Sequence, residues 1–321
     1  MDLVYTNAKG IDQGILRTYA FDLSFGANEN DFEITLRFDD PTLEAGAFVY
    51  IEGTEYGGTI GGIKTNTNGT TCVYTGRTWH GILNSKVIQP DSGEDHFVVS
   101  GDAHTVLSAL VSRLGLSTLF VVPDEASGIN ISTYKFKRYC KAYDGIIDML
   151  ADNHAKLKIA WEGRMVQLSV EPVVDYTNSP VDGDVGLLSV ERHDHKVNHL
   201  ICLGRGELAD REVIHLYVDQ FGRIGSTQYF TGIDEITDTY DNTNVESSSE
   251  LQKEGTSKLK ELRNNDKADI TLPEITGLRY DIGDTVAASE VKSGVSVAAT
   301  VSQKIVKIKN GVISTEYKTG G

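Results

Sequence analysis

The chain has 321 residues, 40% of them hydrophobic and 24% charged, which suits about two to four compact units rather than one small core. Thirty Lys and Arg against 46 Asp and Glu give a formal net charge of −16. That balance argues against clamping nucleic acid by phosphate neutralisation, and suits a soluble surface or one that DNA passes without adhering.

Residues 1–90 read as β throughout. Phe32, Ile34, Leu36 and Phe38 alternate with Glu33, Thr35 and Arg37, the period of a half-buried strand. Residues 48–51 form a second strand. The pairs Gly57-Gly58 and Gly61-Gly62 are expected to bracket a turn, and Asn68-Gly69 signals a hairpin returning through Thr71 to Tyr74. Many short strands with glycine turns point to a barrel or sandwich.

Near residue 100 the period changes. Val106, Leu107, Leu110, Val111 and Leu114 form a helical stripe, with Ser100 or Asp102 to cap its start and Gly115 its end. A second helix is expected over AYDGIIDMLADNHA (142–155), followed by a hairpin turning at Glu162-Gly163. Residues 100–172 therefore read as a small α/β insertion in a β chain. From about 186 strands return as LLSVERHD, HLICLG and EVIHLYVD. An acidic stretch, 234–250, leads into a helix with Leu251, Leu259 and Leu262 on one side, weakened by Gly255. Past Pro273 come a hairpin region, YDIGDTV, and two final strands joined at Asn310-Gly311.

No motif carries recognisable catalytic chemistry. The cysteines Cys72, Cys140 and Cys202 form no CxxC pair, so neither a disulfide framework nor a zinc ribbon is expected. The start MDLVYTNAKG lacks a basic, apolar leader, and no apolar run approaches the ~20 residues of a membrane helix; folding in a reducing cytoplasm is expected. Gly204, Gly206 and Ala209 have dinucleotide-fingerprint spacing, but the following EVIHLYV alternates like a strand, and without a helix there is no phosphate cradle. His193, His195 and His199 crowd into seven positions and would share one strand face, with Cys202 of opposite parity. Two imidazoles fall short of a closed zinc site, so His193 and His195 are weak metal candidates and read first as an exposed or interface pair. Asp182 and Asp184 read as a turn, and Asp234, Asp238 and Asp241 do not fit a calcium loop. No cofactor is expected.

A resemblance runs through most of the chain in three segments. The first is GRTWHGILNSKVIQPDSGEDHFVVSGDAHTVLSALV, with Gly76, Arg77, Gly81 and the strand-closing Pro90. The second is NHLICLGRGELADREVIHLYVDQFGRIG, with a strand, a turn through Gly204 and Gly206, then Arg211 and the next strand. The third is SSSELQKEGTSKLKEL ahead of YDIGDTV with Gly283 and Asp284. Together these resemble the tail-hub proteins of siphophages, themselves similar to contractile-phage baseplate hubs.

The resemblance implies a mainly β protein with an α/β insertion, carrying two tube-forming β-barrel domains plus a small α/β module. The units are a first barrel part at 1–99, the insertion at 100–175, a second β domain with a helix at 176–265, and strands completing a barrel at 266–321. It further implies a non-enzymatic virion protein at the tail tip. It would form a homotrimer, contact the distal tail protein, tail tube and tape-measure protein, and hold spike, fibre or receptor-binding proteins. DNA would pass through it unbound. Residues 190–210 become two strands of a tube-forming barrel joined by a glycine turn, and strand edges at 30–40 and 300–318 are expected to pair across subunits. Larger members append a peptidoglycan-degrading or receptor-binding part, which is not expected in this sequence. The alternatives are a tail-associated peptidoglycan hydrolase using a carboxylate pair and a metal-dependent binding module.

Overall fold

The computed structural model describes residues 2–319 except 66–67, 180, 182–186, 192–194, 246, 264–266, 274–276, 278, 291 and 310. The N-terminal strands are β1 (Leu3–Thr6), β2 (Asp12–Leu16), β3 (Ala20–Gly26), β4 (Asp31–Arg37), β5 (Phe48–Tyr50), β6 (Gly57–Thr65) and β7 (Thr71–Thr78). A short helix, α1 (Trp79–Asn84), follows directly. The insertion holds β8 (Val87–Ile88), β9 (Val98–Asp102), α2 (Ala103–Arg113), β10 (Phe120–Val121), β11 (Asn130–Lys135), β12 (Cys140–Lys141), α3 (Ala142–Ala151), β13 (Ala155–Glu162) and β14 (Met165–Pro172). Then come β15 (Leu187–Glu191), β16 (His199–Leu203), β17 (Val213–Val218), β18 (Ile224–Gly225), β19 (Thr237–Asp241) and α4 (Ser248–Arg263). The chain closes with β20 (Lys267–Pro273), β21 (Thr285–Glu290), β22 (Val295–Lys309) and β23 (Val312–Thr319).

Both ends of the chain build one twelve-stranded sheet, in the order β15-β20-β23-β22-β3-β4-β7-β6-β5-β1-β2 with β21 paired to β22. The fifteen-residue β22 makes this possible. Its first part pairs with β21, its later part lies between β3 and β23, and its register slips between Val301 and Gln303. At that slip Gly26, with φ +127°, lies so close to the Ser302 carbonyl that a Cβ would overlap it. Phe21, Leu23, Phe32, Ile34 and Leu36 share a buried core with Val306 and Ile308 from the other end of the chain. Phe21 and Phe32 meet edge to face at 5.4 Å.

Several expectations change. Residues 1–90 are not β throughout, because Thr78 accepts from the Gly81 N–H as an N-cap and starts α1. Gly57, Gly58, Gly61 and Gly62 lie within strand β6 rather than a turn. Phe32 occupies the space beside Gly58 and Gly76, and Trp79 that beside Gly57, so side chains are excluded by close approach instead of by chain reversal. Asp102 rather than Ser100 caps α2, accepting from the His104 N–H at 2.9 Å. The next helix, α3, stops at Ala151, and His154 lies beyond it at φ +53°.

The expected pair of strands joined by a glycine turn forms as β16 and β17 around Gly204 and Gly206, in a sheet apart from the large one. The segment up to Glu191 pairs in the large sheet, whereas β16 belongs to a separate sheet, β18-β17-β16-β19, with β16 and β19 parallel. Leu200, Cys202, Leu216 and Val218 face Leu251 and Leu259 of α4. Gly255 lies inside that helix because Cys202 and Leu216 fill the place of its side chain; it lets helix and sheet meet. The expected pairing of 30–40 and 300–318 across subunits is also overturned, since β4, β22 and β23 each have strands on both sides.

A side chain at Gly76 would overlap Phe32 and the Thr59 carbonyl, whereas Gly225 has open space. We expect Gly76→Ala to lower stability by about 2 kcal/mol or more and Gly225→Ala by about 0.5 kcal/mol or less, read from urea unfolding.

Candidate functional site

Two contacts between the α/β insertion and the β frame bring together aromatic rings and buried charge. The first is aromatic. Trp161 on β13 stacks on Tyr50 at 4.2 Å and on Trp79 at 5.3 Å, while Phe48 packs against both tryptophans. Backbone bonds lock the same place: Trp161 N–H donates to the Thr54 carbonyl and Gly53 N–H to the Trp161 carbonyl, both at 2.9 Å.

The second is a buried charge cluster. Lys156, on β13 and 4% exposed, donates to both Asp284 oxygens at 2.8 and 2.9 Å and to Asp281 at 3.0 Å. Lys158, two positions on and so on the same strand face, donates to Asp281 at 2.9 Å. Lys304 on β22, also 4% exposed, is paired with Glu55 and stands 3.5 Å from Asp281. The YDIGD turn makes this geometry. The Asp281 N–H donates to Asp284, the Val174 N–H donates to it as well, and Gly283, at φ +99°, brings the backbone against the Lys156 side chain. Gly283 and Asp284 thus belong to the joint between insertion and frame. Beside the cluster a cleft of about 500 Å³ runs between α3 and β22, lined in part by Ile147, Ala151, Ile282 and Val301.

The electrostatics favour charge here. Burial works against the Lys304 ammonium, but Glu55, Tyr56 and Asp281 outweigh it and hold its pKa above the ordinary lysine value. Burial likewise raises the Asp281 carboxyl, but Lys304, Lys158 and Lys156 together bring it well below the usual carboxylate range. His80, stacked on Phe25 at 4.4 Å, is the neutral member. Burial, and then the Lys304 charge, push its pKa down from 6.5 to about 3. Its Nε2 stands 3.6 Å from Glu55, beyond a hydrogen bond, and its Nδ1 has no partner.

The other residues singled out in the sequence lie elsewhere. Gly76 and Arg77 are on β7, opposite Phe32 and Asp31, and Gly81 in α1 lies against the Asn30 carbonyl. Pro90 follows β8, next to Gln89, whose carbonyl accepts from Arg113. In the β16–β17 turn, Gly206 has φ +93° and Gly204 leaves room for Leu251 and Glu212. Arg211 holds the turn by donating to the Gly204 carbonyl and pairing with Asp241. His193 falls outside the described residues. His195 is exposed and precedes β16, so it shares no strand face with His199. Among the described residues no group of three or more His, Cys, Asp or Glu could hold a metal ion.

His199 has a different partner. It is 7% exposed, with Nδ1 at 2.6 Å from Glu235 Oε1 and Nε2 at 2.8 Å from His215 Nδ1. Tyr217 stacks on its ring at 4.3 Å.

No protein-family model matches the chain, and no curated protein matches it. Solved structures do match, over nearly their full length. A prophage MuSo2 tail protein from Shewanella oneidensis aligns with a TM-score of 0.64 at 11% identity, over 99% of this chain and 98% of its own. A tail protein from Neisseria meningitidis aligns at 0.59 and 13%, over 100% and 96%. A prophage tail protein from Listeria monocytogenes aligns at 0.57 and 11%, over 100% and 94%.

Two outcomes are expected at the joint. Lys156→Met leaves Asp284 charged and buried, and should cost about 3–5 kcal/mol in denaturant unfolding. His80 binds a proton more readily unfolded than folded, so its contribution is complete above pH 6.5 and declines as the pH falls from 6.5 towards 3. The variant His80→Phe should reduce the acid loss in that window by up to about 1.4 kcal/mol per pH unit, measured as stability against pH.

From end to end, the chain has the fold of prophage tail proteins.

Proposed function

We propose that this chain is a structural subunit of a phage or prophage tail tip. In this reading three copies form a hub ring that continues the tail tube within the virion. The ring binds the distal tail protein and tube on one side and spike, fibre or receptor-binding proteins on the other. It meets the tape-measure protein during assembly and conducts DNA at ejection. The observation that supports this best is the agreement of fold with tail proteins over 94–98% of their length despite 11–13% identity. Such agreement at so little identity concerns architecture, the property on which a structural ring depends.

On this reading the units are 1–99, 100–175, 176–265 and 266–321, with tube-forming barrels built from the β parts. A net charge of −16 suits a lumen that must not adhere to phosphate. The role is mechanical and assigns no catalytic residue and no cofactor. Subunits would meet at the edges that the large sheet leaves open, β2 and β15.

Light scattering with negative-stain imaging should give three subunits around a central hole. Ile15, 48% exposed on β2, tests the edge: Ile15→Lys should leave a folded monomer, and a persisting trimer would remove β2 from the interface. A peptidoglycan zymogram should show no clearing; a cleared band would favour the hydrolase.

A further inference from the structure

The geometry points to a two-histidine site for a divalent transition-metal ion, formed by His199 Nε2 and His215 Nδ1 on neighbouring strands. The register sets it up. His199 pairs with Tyr217 and Ile201 with His215, so the two imidazoles are diagonal neighbours on one face of the β16–β17 ladder. That face is opposite α4, whose contacts are made by Leu200, Cys202 and Leu216.

Three features make the pair more than two adjacent rings. A carboxylate only accepts, so with Glu235 2.6 Å away the proton of neutral His199 lies on Nδ1, and Thr237 Oγ1 stands 3.2 Å from the same atom. The Nε2 lone pair is thereby turned towards His215, the carboxylate–histidine arrangement that orients metal ligands. Tyr217 stacks on His199 and fixes its plane, and Gln228 donates to Glu235 at 3.0 Å, holding the carboxylate. His215, by contrast, is exposed, so an ion can enter from solvent.

In the metal-free pair one nitrogen donates to the other across 2.8 Å. An ion with metal–nitrogen bonds of about 2.0–2.1 Å and tetrahedral angles needs the nitrogens roughly 3.3 Å apart, a small outward turn of the exposed ring. His215 moves its proton from Nδ1 to Nε2, so no proton is lost. Water completes the coordination, and imidazole donors favour Zn²⁺, Ni²⁺ or Cu²⁺ over Mg²⁺ or Ca²⁺. This inference is independent of the tail role.

The test is calorimetric titration of the full chain with ZnCl₂ in a non-coordinating buffer, with MgCl₂ as comparison. One Zn²⁺ should bind per chain and Mg²⁺ should not. His215→Ala, a change at an exposed position, should abolish this binding while circular dichroism stays native. Glu235→Gln should weaken it about tenfold or more. His193→Ala with His195→Ala should leave it unchanged. Absence of Zn²⁺ binding, equal binding by His215→Ala, or its loss in the His193/His195 variant would each overturn the assignment.

Discussion

Two lysine ammonium groups withdrawn from water set the arrangement of the molecule. Lys156 comes from the insertion, Lys304 from the last long strand, and their carboxylates from Glu55 near the start and Asp281 and Asp284 near the end. A charge buried at this depth is tolerated only with its partners in place, so insertion, N-terminal strands and C-terminal turn must converge on one geometry. Apolar contacts alone would accept many small displacements of the insertion. The cluster accepts few, and the tryptophan stack at the other contact is packed accordingly.

The joint also explains where glycine is needed. Gly283 has a positive φ beside Lys156, and Gly26 lies against the slipped register of β22. Each stands where the C-terminal strands meet another part of the chain. By contrast, Gly57, Gly58 and Gly76 make room for Trp79 and Phe32 and so serve the N-terminal core.

Much of this was legible in the sequence. Alternation from Phe32 to Leu36, the stripe from Val106 to Leu110 and the final hairpin each depend on local periodicity, and each forms; Phe38, expected on the same buried face, lies past the end of β4 and is 54% exposed. Gly57 and Gly58 were misleading because a glycine demanded by a neighbouring aromatic ring looks the same as one demanded by a turn. The six residues of α1 are too few to show a period in the sequence. Sequence proximity groups His199 with His193 and His195; the contact with His215, sixteen positions away, depends on strand pairing and has no local signal. The charge cluster left one local signal. Lys304 has the same inward parity as Val306 and Ile308, and a lysine on a buried face requires a carboxylate; which carboxylate depends on contacts across the whole fold.

The weaving of the large sheet affects how the chain can be made. Gln303 donates to Ser24 across 279 positions, and β3 has β22 as its neighbour on one side. During synthesis the early strands leave the ribosome with that side of β3 open, and it stays open until nearly the whole polypeptide has been translated. Such long-range closure makes folding slow and leaves an unpaired, aggregation-prone edge in the nascent chain. The insertion has its own three-stranded sheet and two helices, so it can organise while that edge waits. The order of folding would then differ from the order of residues, with the middle of the protein finished before its beginning.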